Sequence, residues 1–313
     1  MKSSRKYWPT SPRKKITHNA APWQLGEYIQ LNRTRTIKQI IRAKPTIEGA
    51  GVHLKRIFGH AEAPTFDPFL LLDDFHSDNP KDYIAGFPWH PHRGIETVTY
   101  MINGSVEHGD SLGNRGTIQA GNMQWMTAGS GIIHQEMPKG HNGLMWGLQL
   151  WVNLPSSHKM MEPRYREIKA ENIPAYIADN GISVKVICGQ FKGLTGPVKD
   201  IIQDPEYLDI SIPPNEILEH SVKERHTLFA YILKGSGILT PGSEQRISAE
   251  HLAVFNNGNT VTIKATEKGL RFLLISGKPT GEPVAWYGPI VMNTEEELNL
   301  ALEEFRNGTF IKH

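Results

Sequence analysis

The chain has 313 residues, 39% of them apolar and 21% charged, with a net charge of +2. That balance belongs to a folded globular protein and excludes a disordered composition, and the length allows two ordinary cores. No apolar run approaches the roughly eighteen residues of a membrane-spanning helix. The single cysteine, Cys188, excludes an internal disulfide framework and fits a reducing compartment, cytoplasmic or, in a eukaryote, nuclear.

Residues 1–35 carry eight Lys or Arg against Glu27 alone, a charge of +7 that leaves −5 on the remainder. No apolar stretch of a secretory leader and no clean amphipathic face is present. The segment is expected to be a solvated, mobile extension rather than a nucleic-acid-binding arm or an address signal.

From residue 36 onward the pattern is that of strands. Ile95–Ile102, Leu144–Val152, Val184–Cys188, Thr227–Leu233 and Thr260–Ile263 are rich in β-branched and aromatic residues. Asn103-Gly104, Gly109-Asp110, Gly113-Asn114 and Asn257-Gly258 punctuate them as turns. Cys188 closes one of these strands and reads as a small buried hydrophobe. Many short strands with regular turns predict an all-β architecture of sandwiches or barrels. The one clear helix comes last: Thr294 to Glu297 is a capping box, Leu298, Ala301, Leu302 and Phe305 share a face, and Asn307-Gly308 stops it.

A weak internal repeat suggests duplication. Tyr100 to Ser105 matches Tyr231 to Ser236, and Ala120 to Met126 matches Ala249 to Phe255. A seam is expected at Asn153 to Arg164, which contains Pro155, Ser156, Ser157 and Pro163. The division is therefore residues 1–35 as the extension, 36–158 as a first barrel and 159–313 as a second with the terminal helix.

Chemistry concentrates in Phe87-Pro88-Trp89-His90-Pro91-His92-Arg93-Gly94 and in Gly129-Ser130-Gly131-Ile132-Ile133-His134-Gln135-Glu136. Side chains alternate along a strand, so His90 shares a face with His92, and His134 with Glu136. Two such strands side by side would converge four metal-ligating groups. Imidazoles with one carboxylate suit Fe(II), Mn, Ni, Cu or Zn, and iron(II) oxygenases use a related set. Glu96, four residues after His92, competes with Glu136, and side-chain facing alone leaves that choice open. On the repeat alignment Ser221, Lys223, Ile263 and Ala265 fall where the first half has His90, His92, His134 and Glu136, which predicts a second barrel without metal. His108 reads equally as a support to the ligands or as a loop residue. His18, His53, His60, His76, His141, His158, His220, His226, His251 and His313 are isolated and read as surface or structural. Trp89, Trp125 and Met126 read as core, with a pocket mouth as the alternative.

Asp67 to Phe75, Gly86 to Gly94, Gln124 to Gly131, His134 to Pro138 and Gly288 to Thr294 occur in the order seen in the pirin family, which the sequence resembles over about residues 36–310. The resemblance implies two cupin barrels with a short C-terminal helix and an iron site in the first barrel only. In cupins generally a ligand Glu follows the His-x-His pair after three or four residues, the place of Glu96. In the pirin family the ligands fall instead on His90, His92, His134 and Glu136. Trp89 stands where the family often has a smaller or polar residue, which bears on pocket width. The resemblance implies a quercetin 2,3-dioxygenase taking a flavonol-like small molecule and O2, with Glu136 as ligand and base. As the alternative it admits a non-enzymatic, iron-dependent redox sensor that binds a transcription factor or metabolic enzyme. A monomer without membrane or direct nucleic-acid contact is expected.

Overall fold

The structure, a computed structural model, describes residues 33–140 and 142–313. The basic extension up to Asn32, with His18, and also His141, lie outside the described residues. Arg35, counted with the extension, does not belong to a solvated arm. It is buried, and its guanidinium donates to the carbonyls of Gly258, His226 and Lys223. Desolvation brings it down to about 10.

Strands dominate, as the turn spacing predicts. The first half contributes β1 (Ile37–Arg42), β2 (Lys44–Glu48), β3 (Val52–Phe58), β4 (Phe69–Ser77), β5 (Phe87–His92), β6 (Ile95–Asn103), β7 (Ser105–Asp110), β8 (Arg115–Gln119), β9 (Met123–Thr127), β10 (Ile132–Lys139) and β11 (Met145–Asn153), followed by β12 (Arg164–Ile168). A seven-stranded sheet in the order β12-β9-β6-β11-β4-β3-β2 and a four-stranded sheet β5-β10-β7-β8 make the first barrel. A single turn, α1 (Ala63–Phe66), precedes β4.

The second barrel is built on the strands 175–177, 183–188, 206–212, 217–221, 227–238, 251–255 and 260–277. Two strands cross between the halves. β1 pairs with His251–Phe255 of the second barrel, whereas β12, which lies past the expected seam, pairs with β9 of the first. The helix α2 (Glu295–Arg306) has both halves of its capping box, and Asn307 is its C-cap.

Alternation along β6 sets the two faces of the first barrel. Thr99 and Met101 point into it, while Val98 and Tyr100 point out onto the core shared by the large sheets of both barrels. That shared core joins Trp125, Leu148 and Leu150 with Phe229, Tyr231 and Leu273. The repeat appears as matched geometry: Gly104 and Gly235 both turn the chain at positive φ (73° and 74°). The second barrel is filled by apolar side chains, Ile263 and Ala265 among them.

Candidate metal centre

β5 and β10 run antiparallel, with His134 opposite His90. A register shift between His134 and Glu136 sets Glu136 opposite Phe87. On its other edge β10 pairs with β7, which puts His134 opposite Asp110 and Glu136 opposite His108. The ring centroids of His90, His92 and His134 lie 4.3–4.9 Å apart. One nitrogen from each ring fits within 4.8 Å of the others, the one such group of three potential ligands among the described residues. Glu136 is outside that limit.

Tautomers follow from the acceptors. His90 Nδ1 lies 2.8 Å from the Pro88 carbonyl and His92 Nδ1 lies 3.2 Å from the Pro289 carbonyl. A carbonyl only accepts, so each ring carries its hydrogen on Nδ1 and leaves Nε2 bare. The two bare Nε2 atoms face each other at 3.1 Å. Two lone pairs at that distance repel unless a cation lies between them. Two nitrogens each about 2.1 Å from one ion at a right angle stand about 3.0 Å apart. His134 is fully buried, and neither of its ring nitrogens has a hydrogen-bond partner. Burial first, then the neighbouring rings, holds His92 and His134 well below the ordinary histidine range, so both keep neutral rings with free lone pairs. The residues present fit a divalent metal.

The two candidate glutamates are separated. Glu136 is buried, and its Oε1 accepts from the Thr99 hydroxyl at 3.0 Å. Thr99 Oγ also lies 2.9 Å from Gln149 Oε1. A hydroxyl has one hydrogen, so if Thr99 donates to Glu136 the Gln149 amide must turn its NH2 toward Thr99. Glu96 follows the opposite alternation along β6, on the side of Val98 and Tyr100. There its Oε1 accepts from Thr127 at 2.6 Å, and Arg164 stands 3.9 Å away. Burial pushes the Glu96 carboxyl up.

His108 is not a loop residue. It is buried on β7, bonded through Nε2 to Asp110 at 3.0 Å, with its ring 5.5 Å from that of His134. Against burial, His108 and Asn114 hold the Asp110 carboxyl below its ordinary value. His220 bonds Glu206 at 2.9 Å in the second half, away from the three histidines. Trp125 and Met126 are core, as expected.

Above the histidines opens a cavity of about 630 Å3 whose lining includes His90, His92 and Glu136. Trp89, half exposed, forms part of its wall with Trp151, Trp286 and Tyr287. Arg56 crosses one side in a two-pronged ion pair with Asp73 (2.9 and 2.8 Å). Sequence reasoning missed most of this wall. His60, read as isolated, lines it beside Trp286 at 5.1 Å, and Trp286 to Pro289 come from the far end of the chain. The motif at Gly288 was the one available signal for that segment.

Two β-barrels in one chain, with histidines converging inside the first, define a bicupin. The comparisons narrow the class: the Pirin profile matches residues 51–152 and the Pirin C-terminal cupin domain matches residues 207–311. A pirin-like protein of Caulobacter vibrioides is 42% identical over 277 residues, covering 88% of this chain and 99% of the relative. A Pseudomonas aeruginosa protein that bears quercetin 2,3-dioxygenase as a provisional name is 40% identical over 282 residues, covering 89% and 99%. The crystal structure of quercetin 2,3-dioxygenase from Acinetobacter baumannii superposes with a TM-score of 0.81 at 32% identity, over 89% of this chain and 99% of that one. The chain belongs to the pirin family. Among the described residues no helix is long and apolar enough to cross a membrane.

Proposed function

We propose that the protein is a metal-dependent dioxygenase of the quercetin 2,3-dioxygenase type, holding one Fe(II) through His90, His92, His134 and Glu136. The observation that carries this reading is the pair of bare Nε2 atoms at 3.1 Å, with His134 unpartnered beside them, beneath an aromatic-walled cavity. Mn, Ni, Cu and Zn suit the same donors. The ion belongs to the first unit, residues 36–158, and none to the second, residues 159–313, whose Ile263 and Ala265 offer no ligand atom.

The metal supplies Lewis acidity and a template for substrate and O2. The protein's own residues do the rest. Trp89, Trp151, Trp286 and Tyr287 receive a flat, enolizable ring system such as a flavonol, and Leu54, Leu71 and Phe75 keep water from it. Glu136 takes the proton from the flavonol 3-hydroxyl. Thr99 holds one oxygen of that carboxylate and leaves the other for the site.

Metal content by mass spectrometry and oxygen uptake with quercetin test the reading on one iron-loaded preparation. Wild type is expected to hold about one ion per chain and to consume oxygen. His92→Ala loses most of the metal, Glu136→Gln loses part of it, and Glu96→Gln retains it. Bound metal without oxygen uptake would move the function to a redox-responsive regulator. No metal after anaerobic reconstitution would overturn the site.

A further inference from the structure

The segment that begins at Ala285 belongs by sequence to the second half, yet it builds onto the first barrel. Ile290 bridges Arg93 in parallel, and the Val291 N–H donates to the Arg93 carbonyl at 3.1 Å. One residue earlier, the Pro289 carbonyl accepts from His92 Nδ1. The approach is close: Gly94 has φ 76°, and a Cβ there would stand 1.9 Å from the Val291 carbonyl oxygen. Lys159, itself buried, donates to the carbonyls of Gly94 and Val291 (both 2.9 Å) and to Asn153 Oδ1 (2.6 Å), which pins the same crossing from a third strand connection.

Arg93, next to His92, makes a second tie. Its side chain is 2% exposed. Nη1 donates to Glu304 Oε2 of α2 at 2.7 Å, Nη2 to the Phe310 carbonyl at 2.7 Å, and Nε to the Ser130 carbonyl at 2.6 Å. The guanidinium also lies over the Phe310 ring, 4.2 Å from its centroid. Ser130 stands just before β10, which carries His134. One buried cation therefore connects the end of β5, the approach to β10 and the C-terminal helix. Burying a guanidinium is costly unless its donors are matched, and here the matches come from the C-terminal segment.

We infer that the segment Ala285–Phe310 is a positioning element of the metal centre, which orients His92 through the Pro289 carbonyl and steadies both ligand-bearing strands through Arg93. This rests on the reading of the three histidines as ligands. A ligating imidazole needs an acceptor on its other nitrogen to fix tautomer and ring plane, and losing such support typically weakens metal affinity about 10–100-fold. His90 finds that acceptor two residues away, in the Pro88 carbonyl, whereas His92 takes it from a segment almost two hundred residues away.

The test uses the full chain with zinc as probe: wild type, Glu304→Ala and Glu304→Gln. Zinc dissociation constants are measured by chelator competition, apo-protein melting points alongside, and ring 15N shifts of the zinc-loaded wild type by NMR. Glu304→Ala is expected to bind zinc about 10–100-fold more weakly, beyond any change in apo stability, and Glu304→Gln to recover part of the loss. His92 is expected to bind zinc through Nε2 with its hydrogen on Nδ1. Unchanged zinc affinity with a lowered apo melting point would reduce the segment to a structural role and overturn the inference, as would His92 binding through Nδ1. Wild type that binds no zinc would remove the metal reading as well. If Glu304→Ala does not fold, Glu304→Gln and the wild-type spectrum decide.

Discussion

Asp74 and Asp209 hold corresponding places in the two halves, but their surroundings differ. Asp209 receives two bonds from Arg271 (3.0 and 2.7 Å) and one from Tyr100 (2.7 Å). Asp74 receives one from Tyr231 at 2.6 Å, and its Oδ1 has no hydrogen-bond partner. Burial, only partly offset by Tyr231 and Lys55, pushes the Asp74 carboxyl up to about 6. An acid whose folded value lies above its unfolded value binds more protons when folded, so stability falls as pH rises from about 4 to 6. Above pH 6 the folded protein carries a poorly matched buried charge. Asp74→Asn removes that charge and keeps an acceptor for Tyr231. Its expected gain at pH 7.5 is about 1–3 kcal/mol, shrinking below pH 6 and gone near pH 4. Denaturant titrations of both proteins at the two pH values check this, and an equal difference at both would show that the Asp74 carboxyl is not raised in the folded state.

At the scale of elements, α2 shows local sequence acting alone. The Thr294 hydroxyl accepts from the Glu297 N–H at 3.2 Å, and the Glu297 carboxylate accepts from the Thr294 N–H at 3.2 Å. Thr294→Ala should cost about 1 kcal/mol, read as a melting point lower by about 2–4 °C. No change would mean that packing of Leu298 and Ala301 alone holds the first turn. Phe305, placed on the buried face by periodicity, is 43% exposed and meets Phe310 edge-on at 5.5 Å. The strand beginning at Thr260 shows the opposite case. Its apolar pattern supports Thr260–Ile263, yet the strand runs on to Gly277. Register shifts against 227–238 absorb the polar Thr266 to Lys268 stretch, an irregularity that depends on the partner strand and leaves no periodic signal.

The whole molecule is locked by the two tyrosines of the repeat. Tyr100 of the first half reaches Asp209 of the second, and Tyr231 of the second reaches Asp74 of the first. The exchange is reciprocal but unequal, because Asp209 keeps Arg271 if Tyr100 is lost, while Asp74 keeps no bond of that kind. Tyr231→Phe should therefore destabilise by about 1–3 kcal/mol and Tyr100→Phe by less. Equal losses in chemical denaturation would refute the asymmetry. The crossing of β1 and β12 belongs to the same scale, since it ties each barrel to a strand on the far side of the expected seam.

Alternation, turn residues and capping are local, so the all-β class, the main strands, the terminal helix and the side shared by His90 and His92 were legible from residues alone. His90 and His92 are two apart, and any extended backbone turns them to one side. The choice between Glu96 and Glu136 was not legible, because both stand at even spacing from a histidine. What separates them is that β6 turns Thr99 toward Glu136 and Glu96 toward the other barrel, a consequence of which sheets pack on which faces. Nor could spacing reveal that Pro289 would reach His92, or that Trp286 would wall the cavity. Contacts between residues almost two hundred positions apart depend on how the two halves dock, and the energy of that docking lies in a shared apolar core that carries no local pattern.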